Sequence, residues 1–213
     1  VKTDDLISAL TETLAPVPRY AALLWLVEGI GAGALVSFVA MWTWLGVRPD
    51  LATAMTTSAG WMKFGYTLAL ALFAFWATER LARPSASARA AIAGAIAVFA
   101  VLFAFASMKL MMAPPAARMP MIMGSSAQVC PWRIVILSLP IFAGTFWSLR
   151  KLAPTRLALA GGVAGFASGA LGAWVYAFHC DESAAPFLLV FYTFGIAIVG
   201  AAGSLIAGRV LRW

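Results

Sequence analysis

Apolar residues fall in six long stretches along this chain, separated by connectors that hold most of its charge. Each stretch is long enough to cross roughly 30 Å of hydrocarbon, which takes about 20 residues of helix. They cover 21–45, 61–81, 90–112, 132–149, 156–178 and 186–210. Arg, Trp, Tyr and Pro stand at their ends, as expected at a membrane interface or a helix start. The pattern predicts an all-α polytopic membrane protein, a bundle of six transmembrane helices. A tail over 1–19 precedes a membrane domain over 20–213, and the connectors are short except for 109–133. The first 18 residues carry Asp4, Asp5 and Glu12 and no apolar core, so the first span is expected to stay as an anchor and not be cleaved.

Composition fits lipid as the solvent. The chain is 63% hydrophobic and 11% charged, where soluble domains are about half apolar and a quarter charged. A soluble fold of this size could not cover that much apolar surface. The net charge of +7 would suggest a nucleic-acid partner in a soluble protein. Here it flanks the spans, and no direct nucleic-acid contact is expected. With the amino terminus inside, the cytoplasmic segments hold Lys2, Arg19, Arg80, Arg83, Arg89, Arg150, Lys151, Arg156, Arg209 and Arg212. The outer segments hold Arg48, Lys63, Lys109, Arg118 and Arg133. This imbalance predicts both termini in the cytoplasm.

Small residues recur at four-residue spacing: Gly29 and Gly33; Gly161, Gly165 and Gly169; Gly200, Ser204 and Gly208. Such stripes allow close helix approach, within one bundle or between two copies, so the oligomeric state stays open. The chemical inventory is thin. There is one histidine, no CxxC, no HExxH, no phosphate loop and no pair of carboxylates within a span. An enzyme is hard to build from this. A small transporter or a membrane thiol oxidoreductase is the alternative class, against which the scarcity of intramembrane ionisable groups counts. Glu28 lies inside the first span and is expected to be protonated or paired within the bundle, while Lys63 and Lys109 lie near span ends and are expected to snorkel.

Cys130 and Cys180 are informative because the topology brings both to the outer face, where disulfides are permitted. Cys130 precedes Pro131, which places its sulfur at a helix N-terminus. Cys180 follows His179, a candidate base or auxiliary metal ligand. The pair reads either as a redox or soft-metal switch or as a permanent disulfide. Closing a loop of about fifty residues is worth at most about 4 kcal/mol by chain entropy. No resident cofactor is implied beyond a transient heavy-metal ion at these thiols. Met108, Met111, Met112, Met119, Met121 and Met123 either offer thioethers to Cu(I) or cover an apolar loop.

The tail predicts a short amphipathic helix. Thr3 can cap it, Asp4 and Asp5 suit its positive dipole end, and Leu6, Ile7, Leu10 and Leu14 share a face. Pro16 and Pro18 stop it before the membrane. So short a helix is marginal alone. Its acids disfavour an anionic lipid surface, leaving a groove on a cytoplasmic protein or the underside of its own bundle.

KTDDLISAL near the start, Cys130-Pro131-Trp132, His179-Cys180 with Glu182-Ser183, Tyr192-Thr193 and the final Leu211-Arg212-Trp213 together resemble the NrsF family over the whole length. These are six-span bacterial inner-membrane anti-sigma factors, so the resemblance implies a bacterial inner membrane for this chain. The resemblance implies that Asp4, Asp5, Leu6, Ile7 and Leu10 hold an extracytoplasmic-function sigma factor inactive at the membrane. It also implies that Cys130 and Cys180 match periplasmic cysteines linked to heavy-metal or oxidative stress. Asp181 stands where the family pattern has a proline after His-Cys.

Overall fold

The computed structural model describes residues 3–12, 18, 20–84 and 86–212; Lys2, Leu14, Pro16, Arg19 and Trp213 of the sequence reading lie outside them. The described residues are helical or in turns. α1 spans Thr3–Glu12, and α2 spans Ala21–Ala40 and runs into a π-helical turn, Met41–Leu45. The short α3, Leu51–Ala54, leads to α4, Ser58–Leu81, and α5, Arg89–Met112. α6, Pro115–Met123, precedes α7, Cys130–Leu149, and α8, Leu157–Tyr176. The last helix starts as α9, Ala185–Phe187, passes through a π-helical turn, Leu188–Tyr192, and continues as α10, Thr193–Val210.

Five of these rods have the length and apolar composition to cross a membrane: Ala21–Leu45, Arg89–Met112, Cys130–Leu149, Leu157–Tyr176 and Ala185–Val210. The chain is thus an all-α, multi-pass membrane protein. The sixth long helix, α4, is 24 residues long and packs on α8 and α5, but Lys63, Glu79 and Arg80 lower its apolar content.

α8 is the centre of the bundle, touching α10, α4 and α7. Glycine explains how closely it packs. A methyl group on Gly203 would run into the Gly161 carbonyl, and one on Gly165 into the Val199 carbonyl. α2 meets α7 the same way, through Gly29 and Gly144 and through Gly33 against Pro140. The stripes therefore serve packing within one chain, except Gly208, which has nothing within 4 Å of an added methyl. Hydroxyls add interhelical hydrogen bonds, as polar groups do in lipid. Ser37 Oγ donates to the Leu137 carbonyl at 2.7 Å, Ser148 Oγ donates to that of Trp25 at 2.6 Å, and the Thr145 and Ser168 hydroxyls meet at 3.1 Å.

This packing gives a first expected result. Gly144→Val should lower the thermal stability of the purified protein by about 1–3 kcal/mol or more, because backbone faces the new side chain. Gly31→Ala, where an added methyl meets nothing within 4 Å, should leave stability unchanged or slightly raised. Equal stabilities for the two variants would contradict the α2–α7 crossing.

The connectors sort to two ends. At one, hereafter the thiol end, the connector after α8 meets those that follow α2 and α6. At the other, the basic end, Lys151 Nζ lies over the rings of Trp25 and Trp147, 3.5 and 3.6 Å from their centroids. Of the two alternatives for Glu28, pairing within the bundle is not what the structure holds: the residue is exposed on the outside of α2, with no ion-pair partner among the described residues.

Candidate functional site

Cys130 opens α7, which Pro131 starts as its first-turn residue, and Cys180 sits in the connector after α8. Both side chains are buried, at 0% and 3% exposure. Their sulfurs lie within hydrogen-bonding reach of one another and are not joined. A permanent disulfide is therefore not what this structure holds. The Cys180 thiol is pulled below its ordinary range, first by the hydrogen bond with Cys130 and then, against burial, by the charge of Lys63.

Lys63 is the site residue that sequence reading missed. It was expected to snorkel to the interface. Instead it is completely buried, and its Nζ donates to the carbonyls of Cys180 at 2.6 Å and Glu182 at 2.8 Å. The Tyr192 ring lies 5.3 Å from the same ammonium. A buried cation needs such partners, because desolvation without them costs several kcal/mol. The connector turns two carbonyls inward and supplies them.

The rest of the connector is tied down from two further sides. Arg48 Nη1 donates to the Cys180 carbonyl at 3.0 Å, while its Nε and Nη2 grip Asp50 at 2.7 and 2.6 Å. The Ser125 backbone N–H and hydroxyl donate to Glu182 Oε1 at 2.5 and 2.8 Å. His179 turns away from the thiols. Its Nδ1 donates to the Gly46 carbonyl at 2.9 Å, and its Nε2 faces Arg133 Nη1 at 3.3 Å. Gly46, at φ +74°, ends the first π-helical turn in a conformation open to glycine, which presents that carbonyl.

Tyr192, the last residue of the second π-helical turn, borders Cys180, and its buried hydroxyl has no hydrogen-bond partner other than that thiol among the described residues. π-helical turns within longer helices occur often at functional sites. Here the one in the last long helix brings Tyr192 to the thiols, and the Tyr66 hydroxyl meets Thr193 Oγ1 next door at 2.7 Å. Among the described residues, no three His, Cys, Asp or Glu side chains converge as a metal site. Two adjacent sulfurs can still take a soft ion as a pair or exchange two electrons as a dithiol. Met108, Met111, Met112, Met119 and Met123 are exposed along the end of α5 and along α6.

The other predicted residues lie on α1. Asp4 and Asp5 occupy its first turn, and Leu6, Ile7 and Leu10 are 52%, 53% and 60% exposed. The apolar face is thus not folded under the bundle.

A family described as negative regulator of sigma F, NrsF, matches residues 10–213, which takes in both cysteines, Lys63 and Tyr192. The chain belongs to the NrsF family. It is 36% identical to the probable anti-sigma-F factor of Azospira oryzae over 213 residues, covering 100% of both chains. It is 35% identical to the anti-sigma-F factor of Caulobacter vibrioides over 224 aligned residues, again covering 100% of both. No solved structure matches the chain. Membership of NrsF makes it one of a family of membrane anti-sigma factors, which are regulators of transcription, with two unjoined cysteines at one end of the bundle.

Lys63 gives a second expected result. Lys63→Met removes the ammonium from the Glu182 carbonyl, a loss of about 1–3 kcal/mol, and leaves the Cys180 carbonyl to Arg48 alone. Deuterium labelling of the connector amides, residues 179–183, should then run several-fold faster, read by mass spectrometry of its peptides. Unchanged labelling would mean that the lysine does not hold the connector.

Proposed function

We propose that this protein is an anti-sigma factor of six transmembrane helices, α4 being the sixth, with both termini in the cytoplasm. α1 binds an extracytoplasmic-function sigma factor of the sigma-F type and withholds it from RNA polymerase. Reaction of Cys130 and Cys180 on the periplasmic side weakens that hold. The proposed domains are a sigma-binding tail, 1–19, and a membrane domain, 20–213.

The exposed Leu6, Ile7 and Leu10 face on a helix that starts with two acids carries this reading. Isolated helices of this length are marginal, and an apolar stripe seated in a partner's groove stabilises them. Family membership supplies the class of partner. At the thiol end, an oxidant can take two electrons and two protons from the pair to form a disulfide. A soft divalent ion can instead displace the two protons and bridge the sulfurs. Either change must alter the relative stability of two bundle states that bind the sigma factor unequally. Lys63 and Tyr192, on the long helices beside Cys180, are the residues through which such a change reaches the bundle.

The test is co-purification of the sigma factor with the full-length protein from membranes. Leu6→Glu together with Leu10→Glu should abolish recovery while the membrane protein is made in normal amount. Undiminished recovery would assign the binding surface elsewhere.

A further inference from the structure

At the basic end, a cavity of about 420 Å³ opens between the first turns of α5 and α8. Arg83, Arg89, Arg156, Ser87 and Thr155 line it, and among the described residues no carboxylate does. Arg83 pairs with Glu79, whose carboxylate also lies 3.9 Å from Arg80. Arg89 and Arg156 have no ion-pair partner among the described residues. The N-cap residues of α5 and α8, Ala88 and Arg156, make no side-chain cap, and only the Arg89 N–H has a side-chain acceptor, Ser87 Oγ at 3.4 Å, so two positive dipole ends add to the field of the guanidinium groups.

The floor of this cavity includes Ile92 and Leu159, which also line a second cavity of about 420 Å³. That second space runs between α5 and α8 past Ala95, Phe99, Val163 and Phe166 and is apolar. The two spaces adjoin at these shared residues, a cationic mouth beside an apolar body, and together form a groove. It stays open because α5 buries few of its residues, namely Ala91, Leu102 and Ala106.

An inorganic anion would use the mouth and leave the body empty. A zwitterionic lipid would fill the body but bring its own cation to three arginines. An amphiphile with an anionic head satisfies both halves. We propose that this groove binds one anionic phospholipid, its phosphate between Arg89 and Arg156 and an acyl chain along the α5–α8 seam. Basic pockets between transmembrane helices recognise anionic headgroups in this way. The site lies at the opposite end from the thiols and does not depend on the sigma-factor reading.

Native mass spectrometry of the full-length protein tests this, after exchange into detergent containing dioleoyl phosphatidylglycerol or dioleoyl phosphatidylcholine. One phosphatidylglycerol should be retained per chain, and phosphatidylcholine should be lost. Arg89→Gln with Arg156→Gln should weaken retention by about tenfold or more, since charge-assisted contacts are lost. Ala158→Phe, which fills the groove wall and leaves the arginines in place, should weaken it too. Millimolar inorganic phosphate should not displace the lipid. Equal retention of the two lipids, native retention by either variant, or displacement by inorganic phosphate would each overturn the proposal.

Discussion

In unstressed cells, a chain lacking residues 2–15 should leave the sigma factor's target promoters at their fully induced level, about tenfold or more above the intact protein. The size of the effect follows from what α1 presents. Leu6, Ile7 and Leu10 are each more than half exposed, and burying a leucine-sized side chain is worth about 1.5–3 kcal/mol. Losing three such anchors removes more free energy than a tenfold change in affinity requires. The bundle does not rely on these residues for packing, so the truncated chain should still insert and accumulate. Western blotting of membranes separates loss of grip from loss of protein. Silence of the target promoters with normal amounts of truncated protein would show that the tail is not the inhibitor.

Serine at either Cys130 or Cys180 should remove induction by soft metals and thiol oxidants, leaving transcription near its uninduced level. Both sulfurs lie in one buried cluster within reach of each other. A disulfide or a bridging ion needs both, so either single variant should fail as completely as the double. That non-additivity is the signature of groups acting as a unit. Two thiols sensing separately would give partial losses that add up in the double variant. A native response in either single variant, across cadmium, mercury and diamide, would retire the switch.

The apolar stretches were legible because lipid demands long apolar helices; five of the six fall on helices long and apolar enough to cross a membrane, and the other falls on α4. Their ends shifted where local chemistry competed. α7 starts at Cys130, two residues before the expected Trp132, because Pro131 is already preorganised for a first helical turn. Convergence of the cysteines followed from counting crossings, and the amphipathic α1 from its leucine spacing. Lys63 was not legible in the same way. A lysine near a span end normally reaches for the interface, and only the fold reveals two carbonyls turned inward to receive it. The residues flanking it, Trp61-Met62-Lys63-Phe64-Gly65-Tyr66, gave a hint, since a cation amid such apolar neighbours must find a partner. The π-helical turns have no sequence signature of comparable strength. For Glu28, position within a span left a protonated or a paired carboxyl open, and only the fold shows that α2 turns that face outward, away from any partner in the bundle.

Coupling between the thiol end and α1 is the central claim, and binding of the sigma factor to the full-length protein in lipid nanodiscs measures it directly. Affinity should be read on the same preparation before and after stoichiometric reaction of Cys130 and Cys180 with cadmium or diamide. A fall of about tenfold or more, a coupling of about 1–3 kcal/mol, is expected for the native chain and none for Cys180→Ser. An affinity that stays the same once both thiols have reacted would contradict transmembrane release.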